Sequence, residues 1–154
     1  VRTRHRNLGI RKEVFTKADI HIHFPSGAIP KDGPSAGLAI AAAAASVMSG
    51  RALLPGFGLT GELSLRGRVL PVGGLREKLL AAGALGLKRV ILPKENEPDV
   101  RCLPADVLAG LEIHLVESAD EVFELLFPRR EPGPKRAEPP PATPPREGFP
   151  PPAA

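Results

Sequence analysis

Seventeen consecutive residues, "PSAGLAIAAAAASVMSG" from Pro34 to Gly50, carry no charged side chain. Pro suits the first turn of a helix, and Gly suits the residue just past its end. The segment is therefore predicted to be a helix. It is apolar on every side, so it is expected to be buried. Five successive alanines, Ala41–Ala45, would let a sheet or another helix come close. A chain that buries such a helix needs layers of structure around it.

Those layers are readable in the flanking sequence. "DIHIHF", Asp19 to Phe24, alternates in polarity and reads as a strand. "GFGLTGELSLRGRVLPVGG" reads as a strand, a turn and a second strand. "LREKLLAAGALG" reads as an amphipathic helix closed by Gly86, and "KRVILP" as a short buried strand. "NEPDV" and "PADVLAG" suggest short helical turns, and "LEIHLVE" alternates as a strand. "SADEVFELLF" is a helix with Ser118 as its cap and two acids in its first turn. Strands alternating with helices predict an α/β (α+β) layered domain with a mixed sheet packed by helices, over residues 1–127. The first residues, Val1 to Asn7, read as the last turns of a helix closed through Gly9. The expectation is that the chain is truncated at its N-terminus.

After Phe127 the texture changes. "PRREPGPKRAEPPPATPPREGFPPPAA", residues 128–154, is rich in proline and has a single aromatic residue. It cannot bury enough apolar surface to offset the ordering of the chain, so it is expected to be a disordered, partly polyproline tail.

Composition excludes several classes. No apolar run reaches the roughly 18 residues of a membrane span. Cys102 is the only cysteine, so there is neither a disulfide framework nor a thiolate metal cage, and a cytoplasmic location is expected. The net charge is +4, and its densest basic cluster, "VRTRHRNLGIRK", has no aromatic residue. It reads as a solvated helix end and does not indicate nucleic acid. His21 and His23 share a strand face, but no third ligand has metal-binding spacing.

Between the first two apolar segments lies "PKDGPSAG", Pro30 to Gly37. Gly33-Pro34-Ser35-Ala36-Gly37 fits the string G-x-S-x-G. Ser35 is either a nucleophile or a residue in the first turn of a helix capped by Asp32. Free backbone N–H groups at that helix start could hold an oxyanion. A nucleophilic serine needs a base. The only later histidine is His114, inside the alternating strand. A lysine can serve only after losing its proton, which burial or a nearby positive charge favours. On a helical wheel Lys78 falls with Leu75, Leu79, Ala82 and Leu85. It also leans towards the positive N-terminal end of its helix. Both placements favour a neutral amine. The alternative is a snorkelling lysine whose amine reaches water.

"PKDGPSAG" and "LTGELSLRGRVLPVGGLREKLLAAGALGLKRVILPKEN" together resemble the proteolytic domain of the Lon family of ATP-dependent serine proteases. The similarity runs in order and without gaps from Val1 to Phe127. In that family the serine of the first motif is the nucleophile and the lysine of "GGLKEK" is its general base. The resemblance therefore implies a Ser35–Lys78 dyad, with no metal. Arg76 stands where the family motif has lysine, and arginine stays protonated. The threonine of "TGE", here Thr60, is associated with hydrogen-bonding the lysine amine and carries over as a supporting residue. The resemblance further implies a Lon-type mixed α/β fold, assembly into a homo-hexamer and protein substrates. ATP and Mg would act through an AAA+ ATPase domain of the parent protein. No P-loop, G-x-x-x-x-G-K-[ST], occurs in this chain, so it holds no cofactor site itself. The family's opening strands would precede Val1. The rivals are a catalytically silent Lon-fold module for ring assembly or docking, and an esterase using His114.

The composition of the tail generates a direct expectation. Amide protons after Arg129 should exchange as in an unfolded chain, and strong protection across residues 139–152 in hydrogen-exchange mass spectrometry would contradict it.

Overall fold

The computed structural model describes residues 1–23 and 33–127. Phe24, Lys31, Asp32 and the tail from Pro128 lie outside the described residues. The described elements run in the order expected from the sequence, with one strand missing and one short helix added. A 3-10 turn, Arg2–Arg4, leads into α1, His5–Leu8, which Gly9 closes in the left-handed conformation. A single unpredicted turn, α2 (Val14–Lys17), follows. Then come α3 (Gly37–Ser49), β1 (Phe57–Leu59), β2 (Glu62–Leu63), β3 (Val69–Leu70) and α4 (Leu75–Ala84). The chain continues through β4 (Arg89–Pro93), α5 (Glu97–Arg101), α6 (Ala105–Leu108), β5 (Glu112–Val116) and α7 (Ala119–Leu126).

β4 is the middle of a three-stranded parallel sheet ordered β1-β4-β5. A parallel strand covered on both faces reads as an unbroken apolar run, and "VIL" is that run. Its successive side chains point to opposite faces. Ile91 packs into a cluster with Leu38 and Ala42 of α3, Val116 of β5, and Val122 and Leu126 of α7. Val90 and Leu92 pack with Leu75, Leu79 and Ala82 of α4 and Val107 of α6. The result is three layers, with α3 and α7 on one side of the sheet and α4 and α6 on the other. β2 and β3 form a separate antiparallel hairpin, and Val69 of that hairpin joins the Ile91 cluster. Parallel and antiparallel pairings coexist in a layered α/β domain, as the sequence predicts.

Ser118 caps α7 as expected. Its hydroxyl accepts the Glu121 N–H at 3.4 Å and donates to the Glu121 carboxylate at 2.7 Å. The carboxylate in turn accepts the Glu117 N–H at 3.2 Å. This is a capping box displaced by one residue at its return bond. Arg4 donates to Asp120 at 2.6 Å and ties the first turn of the chain to α7.

Three expectations need correction. Residues Asp19 to His23 form no strand, because no neighbouring edge exchanges backbone hydrogen bonds with them among the described residues. They run instead along α3, where Ile20 and Ile22 stay about half exposed. Second, α3 is apolar all round but is not buried all round. Leu38, Ala42 and Ala45 are buried, whereas Val47, on the face turned towards residues 19–23, is 81% exposed. Third, α3 begins at Gly37 with Ala36 at its cap position, so Ser35 is neither its cap nor in its first turn, while Asp32 lies outside the described residues. Ser35 sits in the turn before the helix.

The start of α3 is fixed by Gly61. Its N–H donates to the Ser35 carbonyl at 2.9 Å, and its carbonyl accepts the Leu38 N–H at 3.1 Å. A Cβ on Gly61 would lie 3.0 Å from Val69 Cγ1 and 3.2 Å from Leu38 Cδ2, closer than packed carbons tolerate. Gly61→Ala should therefore cost about 1–3 kcal/mol in urea unfolding, because neither neighbour has room to withdraw from the core. Ser118→Ala should cost about 0.5–2 kcal/mol in the same measurement, through loss of the α7 cap.

Candidate active site

Two elements carry the candidate side chains, and β1 brings them together. Thr60 follows β1 directly, and its N–H donates to Ile91 O of β4 at 3.2 Å. The end of β1 is thus pinned to the central strand. Gly61 then holds the turn that carries Ser35. On the other side of the sheet, α4 packs Leu75, Leu79 and Ala82 inward. Lys78, one position before Leu79, reaches the edge of the same surface.

Ser35, Thr60 and Lys78 line one cavity of about 350 Å³. It opens where the α3 layer and the α4 layer both overhang β1. The rest of its wall is small or apolar and includes Ala36, Ala39, Gly58, Leu59 and Ala81. Lys78 is the one charged side chain in that wall among the described residues. Gly58 keeps the wall thin. A Cβ there would meet Leu87 Cδ1 at 3.2 Å.

The hydrogen bonds around these residues differ from the expectation for Thr60. Its side chain is only 7% exposed, and its hydroxyl donates to the Ser35 carbonyl across a long 3.5 Å. The Lys78 amine donates to the Gly73 carbonyl at 2.7 Å, in a solvent-exposed bond. Thr60 therefore supports the serine turn in this conformation, and the amine rests on the turn before its own helix. Lys78 is half-buried, between the buried and the snorkelling readings. Leu85 is 78% exposed because α4 ends at Ala84, although Leu85 still borders the cavity.

The backbone donors are also redistributed. The Gly37 and Leu38 amides donate to Pro34 O and Gly61 O, so the first turn of α3 does not offer them to a ligand. The amides of Ser35 and Ala36 donate to no acceptor among the described residues. The Ser35 hydroxyl has no hydrogen-bond partner there either.

His114 lies elsewhere. It sits on β5 opposite Ile91 and packs against Phe57 with ring centroids 5.7 Å apart. Its Nε2 is 3.2 Å from Glu112 Oε1 but misaligned, so the buried nitrogen has no hydrogen-bond partner. It does not line the Ser35 cavity. His21 and His23 line the groove along α3, and no group of three His, Cys, Asp or Glu side chains converges among the described residues. A larger cleft of about 600 Å³ near Arg51, Asp120 and Phe127 is lined by no serine, threonine or cysteine among the described residues. No helix among the described residues is long and apolar enough to cross a membrane.

The sequence did not single out the buried Asn96, which bonds Val72, or the Gly73 carbonyl, which accepts the Lys78 amine. A buried asparagine leaves no periodic signal, and a backbone acceptor leaves none at all.

Comparison with known proteins follows the same residues. The chain matches the model of the Lon protease (S16) C-terminal proteolytic domain over residues 1–129. It is 53% identical over 125 residues to the Lon protease of Dictyoglomus thermophilum, covering 81% of this chain and 16% of that protein. It is 50% identical over 126 residues to Lon protease 1 of Thermus thermophilus, covering 82% and 16%. Against Lon protease 1 of Bacillus subtilis the identity is 51% over 124 residues, covering 80% and 16%. The chain thus spans about one-sixth of the length of these relatives. A layered α/β domain with that similarity along nearly all of its length places the chain in the Lon protease family, in its C-terminal proteolytic domain.

Proposed function

We propose that the domain is a serine endopeptidase with Ser35 as nucleophile and Lys78 as general base. The observation that carries this reading is their shared cavity, in which Lys78 is the one charged side chain and no histidine takes part among the described residues. Ser35 Oγ attacks the carbonyl carbon of a peptide bond, and the proton passes to the neutral Lys78 amine. The free amides of Ser35 and Ala36 are placed on the same turn to hold the oxyanion that develops. Collapse of the tetrahedral adduct breaks the C–N bond, and the Lys78 ammonium returns its proton to the departing amine. Water then hydrolyses the acyl-serine by the same route in reverse. For this, the amine must leave the Gly73 carbonyl and turn into the cavity, a rotation within a flexible four-carbon stem. Thr60 supports the site by holding the serine turn.

The parent protein is, on this reading, an ATP-dependent protease. An AAA+ domain outside this chain binds ATP and Mg and feeds unfolded, damaged or regulatory proteins to a six-membered ring in the cytoplasm. Family membership and the short span of the chain relative to its kin support this assignment.

Steady-state cleavage of a fluorogenic peptide by the full-length protein tests the dyad, with circular dichroism as the control for folding. Ser35→Ala and Lys78→Ala should each abolish hydrolysis, and the double variant should be no worse than either. Lys78→Arg should be as damaging as Lys78→Ala, since a guanidinium cannot accept the proton. Thr60→Val should be intermediate, losing a bond worth about 1 kcal/mol. His114→Ala should retain most of the activity. A folded Lys78→Ala protein of near-normal activity would end the dyad reading, and a wild-type protein with no activity would leave the silent-module reading standing.

A further inference from the structure

Asn96 is a polar residue buried to 2% exposure, and two of its side-chain hydrogen bonds go to Val72 in the loop before α4. Its Oδ1 accepts the Val72 N–H at 2.9 Å, and its Nδ2 donates to the Val72 carbonyl at 3.0 Å. The side-chain amide thereby copies the two-bond exchange of a strand neighbour. The second Nδ2 hydrogen goes to Asp99 Oδ2 at 2.7 Å. The Val72 N–H and carbonyl set which end of the amide carries the donors, and Asp99, whose carboxylate only accepts, reinforces that orientation. Burying an amide is unfavourable unless its donors and acceptor are all paired, and here they are.

The clamped residue sits immediately before the joint that launches α4. Gly73 supplies the carbonyl that takes the Lys78 amine, and Gly74 adopts the left-handed conformation, φ 66°, at the helix cap. Two successive glycines make the loosest joint a chain can have. Asn96 itself follows β4 through the 3-10 turn Lys94–Asn96, so it is anchored to the central strand.

We propose that Asn96 is a positioning residue for Lys78: its carboxamide holds Val72, and through the Gly73–Gly74 joint it sets where the amine stands relative to Ser35. The inference rests on the reading of Lys78 as base. Asn96 touches neither substrate nor reacting atoms. Without it, the joint is free to shift α4 and the Gly73 carbonyl together, and the amine loses its approach to the serine. Asp99 contributes by reinforcing the amide orientation.

The test is the rate at which a fluorophosphonate labels Ser35 in the full-length protein. In that reaction Oγ bonds to phosphorus, fluoride leaves, and the serine proton passes to the base. Asn96→Ala should slow labelling by about ten-fold or more, as expected for a base displaced by about an ångström. In a Lys78→Ala background the same substitution should change the rate less than about two-fold, since there is no base left to misplace. A merely structural role would slow both backgrounds alike. Asp99→Ala, which keeps Asn96 but removes its third bond, should show the same dependence on Lys78 with about a two- to five-fold effect. It decides the matter if circular dichroism shows Asn96→Ala unfolded. Equal slowing in both backgrounds, or a normal rate with Lys78 present, overturns the inference while leaving the dyad intact. Normal labelling of Lys78→Ala, or any labelling of Ser35→Ala at this site, overturns the dyad and the inference with it.

Discussion

The reciprocal hydrogen bonds between Gly61 and the start of α3 hold the two halves of the candidate site in register. Gly61 gives its N–H to Ser35 O and takes the Leu38 N–H. The residue before it, Thr60, is bonded to the central strand through Ile91. Ser35 is thus two backbone hydrogen bonds away from β4, the best-packed element of the domain. A Cβ at this point would crowd Leu38 and Val69. The close approach that places the serine is the same approach that packs α3 against the hairpin.

Lys78 is placed by a different route. Its helix is packed on the opposite face of the sheet, through Leu75, Leu79 and Ala82. β4 supports both layers, with Ile91 facing one and Val90 and Leu92 the other. Beyond β4 the chain supplies Asn96, which secures the loop ahead of α4. A single strand therefore references both the serine turn and the lysine helix, and Gly58 and Leu59 of β1 line the cavity between them. Among the described residues one lysine is the only charge in a wall of alanine, glycine and leucine, so its contact sets the local electrostatics.

Most of the framework was legible in the sequence because it depends on local rules. The apolar run "VIL", the cap at Ser118, the glycines that close α1, α3 and α4, and the face formed by Leu75, Leu79 and Ala82 all follow from period, capping and chain geometry. Ser35 and Lys78 were singled out by motif resemblance, and their convergence on one cavity is a tertiary fact. Thr60 was also legible as a member of the site, but its partner was not. A hydroxyl can donate to whichever acceptor folding brings near, and here that is the Ser35 carbonyl.

By itself the sequence determined which segments can be helices and strands, and which face of each helix has to find apolar cover. It could not determine what supplies the cover. "DIHIHF" alternates like a strand, yet a strand exists only where a neighbour's edge exchanges hydrogen bonds with it, and residues 19–23 have none among the described residues. α3 is apolar all round, yet one of its faces meets the core and the other only a groove beside residues 19–23. The positions of the Lys78 amine on Gly73 and of Asn96 on Val72 were likewise decided by tertiary structure. Those contacts join residues distant in the chain or use backbone atoms that every residue shares, so no local pattern encodes them.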